Sequence, residues 1–155
     1  MIGLSTTIPT GLPELFRAAI ADALQEAVQM WHWAFLPLHF EVQASDQYAY
    51  KPRTAQYQRY KGKRFGHQRP LELTGDSKRM LTSTIRITAG PSSAKGVMKA
   101  PKYFYMYNKN NGRQFVDKAD EATRTTASEV QSLALTFQDK ASRRMNAPAK
   151  TVTIK

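Results

Sequence analysis

Residues 82–98 read TSTIRITAGPSSAKGVM, and whether they form strand, turn and strand decides between an all-helical chain and a mixed one. Thr82 to Thr88 are rich in β-branched side chains and alternate in character, the period of a half-buried strand. Gly90, Pro91, Ser92 and Ser93 supply turn chemistry, so a second strand is expected through Val97 and Met98. A third is expected at Tyr103–Tyr107 (YFYMY), followed by a polar loop, Asn108–Gly112.

Moving toward the amino terminus, PLELTG (residues 70–75) is an apolar segment bounded by turn signals. Thr74 and Gly75 are read as a turn that redirects the chain, with Gly75 in a conformation closed to other residues. Thr54 is placed to cap a short helix over Gln56–Tyr60, which Gly62 and Gly66 then loosen. Glu41–Tyr50 has the makings of another short helix, with Phe40, Ala44 and Tyr48 on one side. From Pro13, the residues Phe16, Ile20, Ala23, Leu24, Ala27, Val28, Trp31 and Phe35 recur at three- and four-residue spacing, which predicts a long amphipathic helix. Pro37 biases Leu36 away from the helical region, so that helix is expected to end or bend before His39 and Phe40.

Toward the carboxyl terminus, Thr126-Ala127-Ser128-Glu129 has capping-box form. Val130, Leu133, Ala134, Phe137 and Ala141 follow as an apolar stripe, with Lys140, Arg143 and Arg144 near the favourable end of the helix dipole. The expected fold is α+β: one domain over residues 1–155, in which a small antiparallel sheet packs against a long N-terminal helix and a C-terminal helix. Its core spans about residues 13–145, between flexible arms at 1–12 and 146–155. In the second arm Pro148 stops the helix, and Thr151 to Ile154 have strand character suited to pairing with a neighbouring subunit.

The net charge of +11 is unevenly spread. Residues 1–46 carry one base, Arg17, against Glu14, Asp22, Glu26, Glu41 and Asp46, whereas residues 47–116 carry fifteen bases against Glu72 and Asp76. Residues 48–66, YAYKPRTAQYQRYKGKRFG, hold six bases and five aromatic residues without a carboxylate. Arg53, Arg59, Lys61, Lys63, Arg64 and Arg69 could contact phosphates or an acidic protein surface, and Tyr48, Tyr50, Tyr57, Tyr60 and Phe65 could stack or pack. Three readings stand side by side: a solvated or protein-contacting face, a surface near passing DNA, and a sequence-specific reader. The last lacks any helix-turn-helix, zinc-finger or RNA-recognition pattern.

Chemistry finds little footing in this sequence. There is no cysteine, which removes disulfides, thiolate metal sites and a thiol nucleophile. His32, His39 and His67 fit no familiar metal spacing, and His32 beside Trp31 and Trp33 reads as a helix-surface or core-edge residue rather than a ligand. GPSSAKG (residues 90–96) departs from a phosphate loop because Ala94 precedes Lys95 and Gly96 follows it. No catalytic residue, cofactor or metal is assigned. The longest apolar run, Trp33–Leu38, is broken by Pro37 and far too short for a bilayer, and no signal-peptide pattern opens the chain. A soluble, unprocessed protein without membrane contact is expected.

The order of these features, over most of residues 13–140, resembles small phage virion-morphogenesis proteins of the tail-completion and neck type. The residues that carry the resemblance are His39-Phe40, Tyr48, Tyr50, Arg53-Thr54, Tyr57, Lys61, Pro70-Leu71 and Thr74-Gly75. Where the family has a hydrophobic residue soon after Thr-Gly, this chain has Asp76, Ser77, Lys78 and Arg79 before Met80. The resemblance implies a non-catalytic structural subunit of the virion, assembled in the host cytoplasm. It would form a homo-oligomeric ring, hexameric by that likeness, that meets connector, neck or tail-tube proteins and lies near packaged DNA. The alternative is a nonspecific nucleic-acid-binding protein.

Overall fold

A computed structural model of the chain describes residues 2–5, 14–101, 104 and 118–146. Its elements in order are β1 (Ile2–Ser5), α1 (Glu14–Met30), α2 (Ala44–Gln47), α3 (Ala55–Phe65), α4 (Asp76–Ser83), β2 (Ile85–Ala89), β3 (Ser93–Met98), α5 (Lys118–Glu121) and α6 (Ala127–Met145). The fold is α+β, with an antiparallel sheet of order β1-β3-β2.

The centre of the fold is α1, which lies between the sheet and α6. Ile20, Leu24 and Val28, one helical turn apart, meet Ile85, Ile87, Ala89 and Ala94 of the sheet, and Phe137 joins them from α6. Full burial of a side chain such as Leu24 or Val28 contributes about 1.5–3 kcal/mol. A neighbouring row meets α6 in antiparallel order: Asp22 pairs with Arg144, Glu26 with Lys140 and Arg144, and Met30 Sδ accepts from Thr136 Oγ1. The C-terminal helix therefore packs on α1 more than on the sheet. This turns the expected stripe on α6: Leu133 and Ala141 are buried, but Val130 and Ala134 are exposed, and Thr136 is the residue that reaches Met30 of α1.

The hairpin forms where the alternation predicts it, with Gly90 N–H donating to the Ser93 carbonyl at 2.8 Å. Ile85 pairs with Met98 and Ile87 with Gly96, leaving Arg86, Thr88 and Lys95 on the open face. A Cβ on Gly96 would stand 2.6 Å from Ile85 Cδ1 and 3.1 Å from Val28 Cγ1, so this glycine allows the sheet to approach α1. The strand starts later than expected. Thr82 and Ser83 close α4, with Thr82 Oγ1 donating to the Lys78 carbonyl and Ser83 Oγ to that of Met80. Ser77 and Leu81, one turn apart, anchor this helix, and short hydroxyl side chains at its end masked it as strand.

Three further expectations change. Ile2–Ser5 is no free arm but an edge strand paired with β3, Ile2 opposite Gly96 and Ser5 opposite Ser93. Gly62 does not break α3, which starts at the Thr54 cap and runs to a left-handed Gly66. Leu36 stays helical (φ −54°, ψ −40°) despite Pro37. The chain instead widens into a π turn at Trp31–Phe35 and tightens into a 3-10 turn at Leu36–Phe40. A proline ring crowds the carbonyl four residues back, and a change of pitch relieves this without leaving the helical region. The expected strand at Tyr103–Tyr107, apart from a buried Phe104, the loop 108–112 and the tail 147–155 lie outside the described residues.

Candidate functional site

The change of pitch at Trp31–Phe40 turns His39 and Phe40 inward, where both are fully buried with Ala44 and Tyr48. His39 stacks on the Tyr48 ring at 3.8 Å, and its Nδ1 lies 2.5 Å from the Tyr50 hydroxyl. Tyr48 donates its own hydroxyl to Glu129 Oε1 at 2.5 Å. The other oxygen of that carboxylate accepts from Thr126 N–H and closes the capping box of α6. One glutamate thus fixes both a helix start and a tyrosine 81 positions away.

The following residues are held from the same side. Arg124 donates to the carbonyls of Tyr48 and Ala49, the latter in a positive-φ conformation (49°). Glu121, 1% exposed, accepts from Lys51 N–H at 3.0 Å and from the Arg53 guanidinium at 2.5 and 3.3 Å. Sequence reasoning placed Arg53 on a binding surface but missed Glu121, Arg124 and Glu129, which lie far along the chain. The only local signal was the capping box itself.

Burial sets the ionisation of this unit. The His39 pKa falls to about 4 because the charged imidazolium is desolvated, against weaker pulls from the Glu121 and Arg124 backbone. Tyr48 and Tyr50 are pushed well above the ordinary phenol value, first by burial and then by the Glu129 and Glu121 carboxylates respectively. All three rings are neutral at pH 7, so they act as packing and hydrogen-bonding groups.

The predicted basic residues divide between two faces of α3 and the turn after it. Arg59, Lys63 and Arg64 are exposed and form no ion pair among the described residues. Lys61 faces inward, 4% exposed, with its ammonium donating to the Arg69 carbonyl. Arg69 lies 3.8 Å from Glu72. Pro70 and Leu71 follow, Leu71 at a positive φ of 57° with its carbonyl accepting from Ser77 Oγ. Thr74 donates to Asp76, and Gly75 (φ 88°) is the turn residue expected, here placed just before α4.

Between α3 and the 70–73 segment lies a cleft of about 520 Å³. Tyr50, Tyr57 and Tyr60 contribute aromatic wall, and Lys51, Arg53, Lys61 and Lys118 contribute charge. Burial lowers the Lys61 pKa to about 8; Glu72 opposes that shift, and Arg53 and Lys118 reinforce it. Lys118 is lowered too, by burial and then by Arg53. Glu72 Oε2 is buried in the cleft wall with no hydrogen-bond partner among the described residues.

Comparison with family models, curated proteins and solved structures finds no match to this chain. His39, Phe40, Tyr48, Tyr50, Arg53 and Leu71 belong to one buried unit or its rim, while Thr54 caps α3 and Tyr57 lines the cleft.

The acidic N-terminal segment is largely spent within the chain. Glu14 pairs with Arg17, Glu41 with Lys78, and Asp22 and Glu26 with α6. These acids thus find their partners inside the molecule, mostly on α1 itself and on α6, and offer little charge to the basic segment of residues 47–116. Among the described residues no group of His, Asp and Glu side chains is arranged to hold a metal ion, and no helix is long and apolar enough to cross a membrane.

Proposed function

We propose that the chain is a structural subunit of a bacteriophage head–tail junction, terminating the tail tube or adapting it to the connector within a ring of like subunits. The observation that supports this reading is the convergence of six of the resemblance residues, His39, Phe40, Tyr48, Tyr50, Arg53 and Leu71, on one buried unit and its rim. His39, Tyr48, Tyr50 and Arg53 serve to hold segment 48–53 rigidly against α5 and α6. A subunit that must present one fixed surface to its neighbours needs this kind of internal locking. Because the acids of α1 are already paired, the exposed cations of α3 are left to meet an acidic protein neighbour or the DNA that passes through the junction.

Negative-stain microscopy of the purified protein and immunolabelling of the parent particle test the reading. Rings, or the protein located at the neck of the virion, are expected. A monomer at all concentrations that is also absent from particles overturns the proposal.

Arg59, Lys63 and Arg64 also support a second reading, in which the protein grips nucleic acid without reading sequence. Gel shifts over a salt series separate the two. Binding that weakens steeply with salt and ignores sequence fits either a neck protein close to DNA or a nonspecific binder; the absence of rings and of virion incorporation then selects the binder.

A further inference from the structure

The sheet is covered on one side only. Ile85, Ile87 and Ala94 turn toward α1, while Arg86, Thr88, Ser93, Lys95 and Val97 are exposed on the other side. The alternation runs on to Lys99, exposed just past the end of β3. A solvated face of ordinary composition mixes both signs of charge. This one carries cations alone, in a stretch, residues 77–116, that holds eight bases and no carboxylate. The register of the ladder sets how the cations stand. Arg86 is opposite Val97, so Lys95 lies on its diagonal, about 7–8 Å away. Lys99, two residues beyond Val97, continues the other diagonal. Three cations thus crowd around one exposed Val97, and none of them makes an ion pair or a side-chain hydrogen bond among the described residues. A second copy of the chain offers little to relieve them. Every described carboxylate except Asp46 is already engaged, by a cation or, for Glu129, by Tyr48 and the α6 cap.

We infer that this bare sheet face binds duplex nucleic acid by its phosphate backbone, without reading sequence. Phosphate oxygens are contacted by the groups found here, Arg and Lys side chains together with Ser and Thr hydroxyls. An acidic protein partner would call for an apolar centre depleted of charge, whereas the middle of this patch is a single Val97 with Arg86 opposite and a lysine on either side along the strand. A single strand would call for aromatic platforms under its bases, and β2 and β3 contain no aromatic residue. A duplex carries one charge per about 1.7 Å of its axis. Laid across the patch, it sets phosphates against all three cations at once. The face is built from elements other than the α3 helix that bears Arg59, Lys63 and Arg64. It goes beyond the ring reading, because a monomer presents it complete.

Fluorescence anisotropy of the full chain with a labelled duplex of arbitrary sequence, over about 50–200 mM salt, tests the face. Replacing Arg86, Lys95 and Lys99 together by Gln should flatten the slope of log K against log salt by about 2–3, the value of three phosphate contacts. The charge-keeping variant Arg86→Lys, Lys95→Arg, Lys99→Arg should retain the parent slope. Lys95→Gln alone, expected to remove about 0.9 from the slope, keeps the test decisive if the triple variant does not fold. The duplex should bind at least as tightly as a single strand of equal length, and polyglutamate should compete about tenfold less well than unlabelled duplex. No binding by the parent overturns the inference and leaves the ring reading standing, since microscopy decides that one. An unchanged slope in the sheet variant, with the loss found instead on replacing Arg59, Lys63 and Arg64, overturns it in favour of α3. Equal competition by polyglutamate assigns the face to an acidic protein, and about tenfold preference for the single strand assigns the affinity to bases; either result overturns it.

Discussion

Acid should destabilise this protein through His39. In the unfolded chain the imidazole has its ordinary pKa of about 6.5, and in the fold that value falls to about 4 because the ring is fully buried between Tyr48 and Trp31. The folded value is the lower one, so the contribution of neutral His39 is complete above pH 6.5. As pH falls from 6.5 to 4 the unfolded state binds a proton that the folded state refuses. Stability should then fall by about 1.4 kcal/mol per pH unit from this group, roughly 3 kcal/mol in all. Urea unfolding at half-unit steps from pH 7.5 to 4.5 measures the loss. The parent minus a His39→Gln variant isolates it from carboxylates such as Glu26, whose lowered pKa, owed first to Lys140, adds an acid loss of its own. If the variant does not fold, the His39 Cε1 resonance in the parent gives the same answer by its failure to titrate above pH 5. A normal titration near pH 6.5, or identical acid slopes in parent and variant, refutes the argument.

Four further substitutions probe other parts of the fold. Arg53→Met should cost about 3 kcal/mol in urea unfolding, because it leaves the buried Glu121 carboxylate without its counter-charge; a loss under about 0.5 kcal/mol would mean that Lys51 N–H alone suffices. Gly75→Val forces a β-branched residue into φ 88° and should lower folded yield and cost at least about 1–2 kcal/mol. Gly62→Ala, inside α3 with only Gln68 Nε2 near the new methyl at 3.8 Å, should instead raise stability by about 0.5–1 kcal/mol; equal melting temperatures for these two variants would contradict both assignments. Gly96→Ala should cost about 1–3 kcal/mol by pushing Ile85 and Val28 apart, and an unchanged melting temperature would show that the sheet can lift off α1 freely.

What the sequence determined by itself was whatever depends on near neighbours in the chain. The long helix over Glu14–Met30, the α6 capping box, the Thr54 cap, the Gly90–Ser93 turn and the inward placing of Phe40, Ala44 and Tyr48 all follow from spacing and turn chemistry that act within a few residues. Where two local preferences competed, the tertiary structure chose. Thr82 and Ser83 favour strand by composition but complete α4, because Leu81 and Ser77 find a buried place there. Leu36 stays helical because a change of pitch absorbs Pro37 and brings His39 into the core.

The candidate site was legible only in half. His39, Tyr48, Tyr50, Arg53 and Lys61 stood out in the sequence, but their partners Glu121, Arg124 and Glu129 and the crowding by Lys118 did not. Charge along a chain says nothing about which charges will meet. Asp22 and Glu26 stand in the sequence as acids of an acidic segment, and only the antiparallel packing of α6 on α1 gives them Arg144 and Lys140 as partners. Lys61 looked like one cation among six until the register of α3 turned it inward, away from Arg59, Lys63 and Arg64. Ion pairing and desolvation depend on distance in space, and only the packing of α3, α5 and α6 fixes that distance.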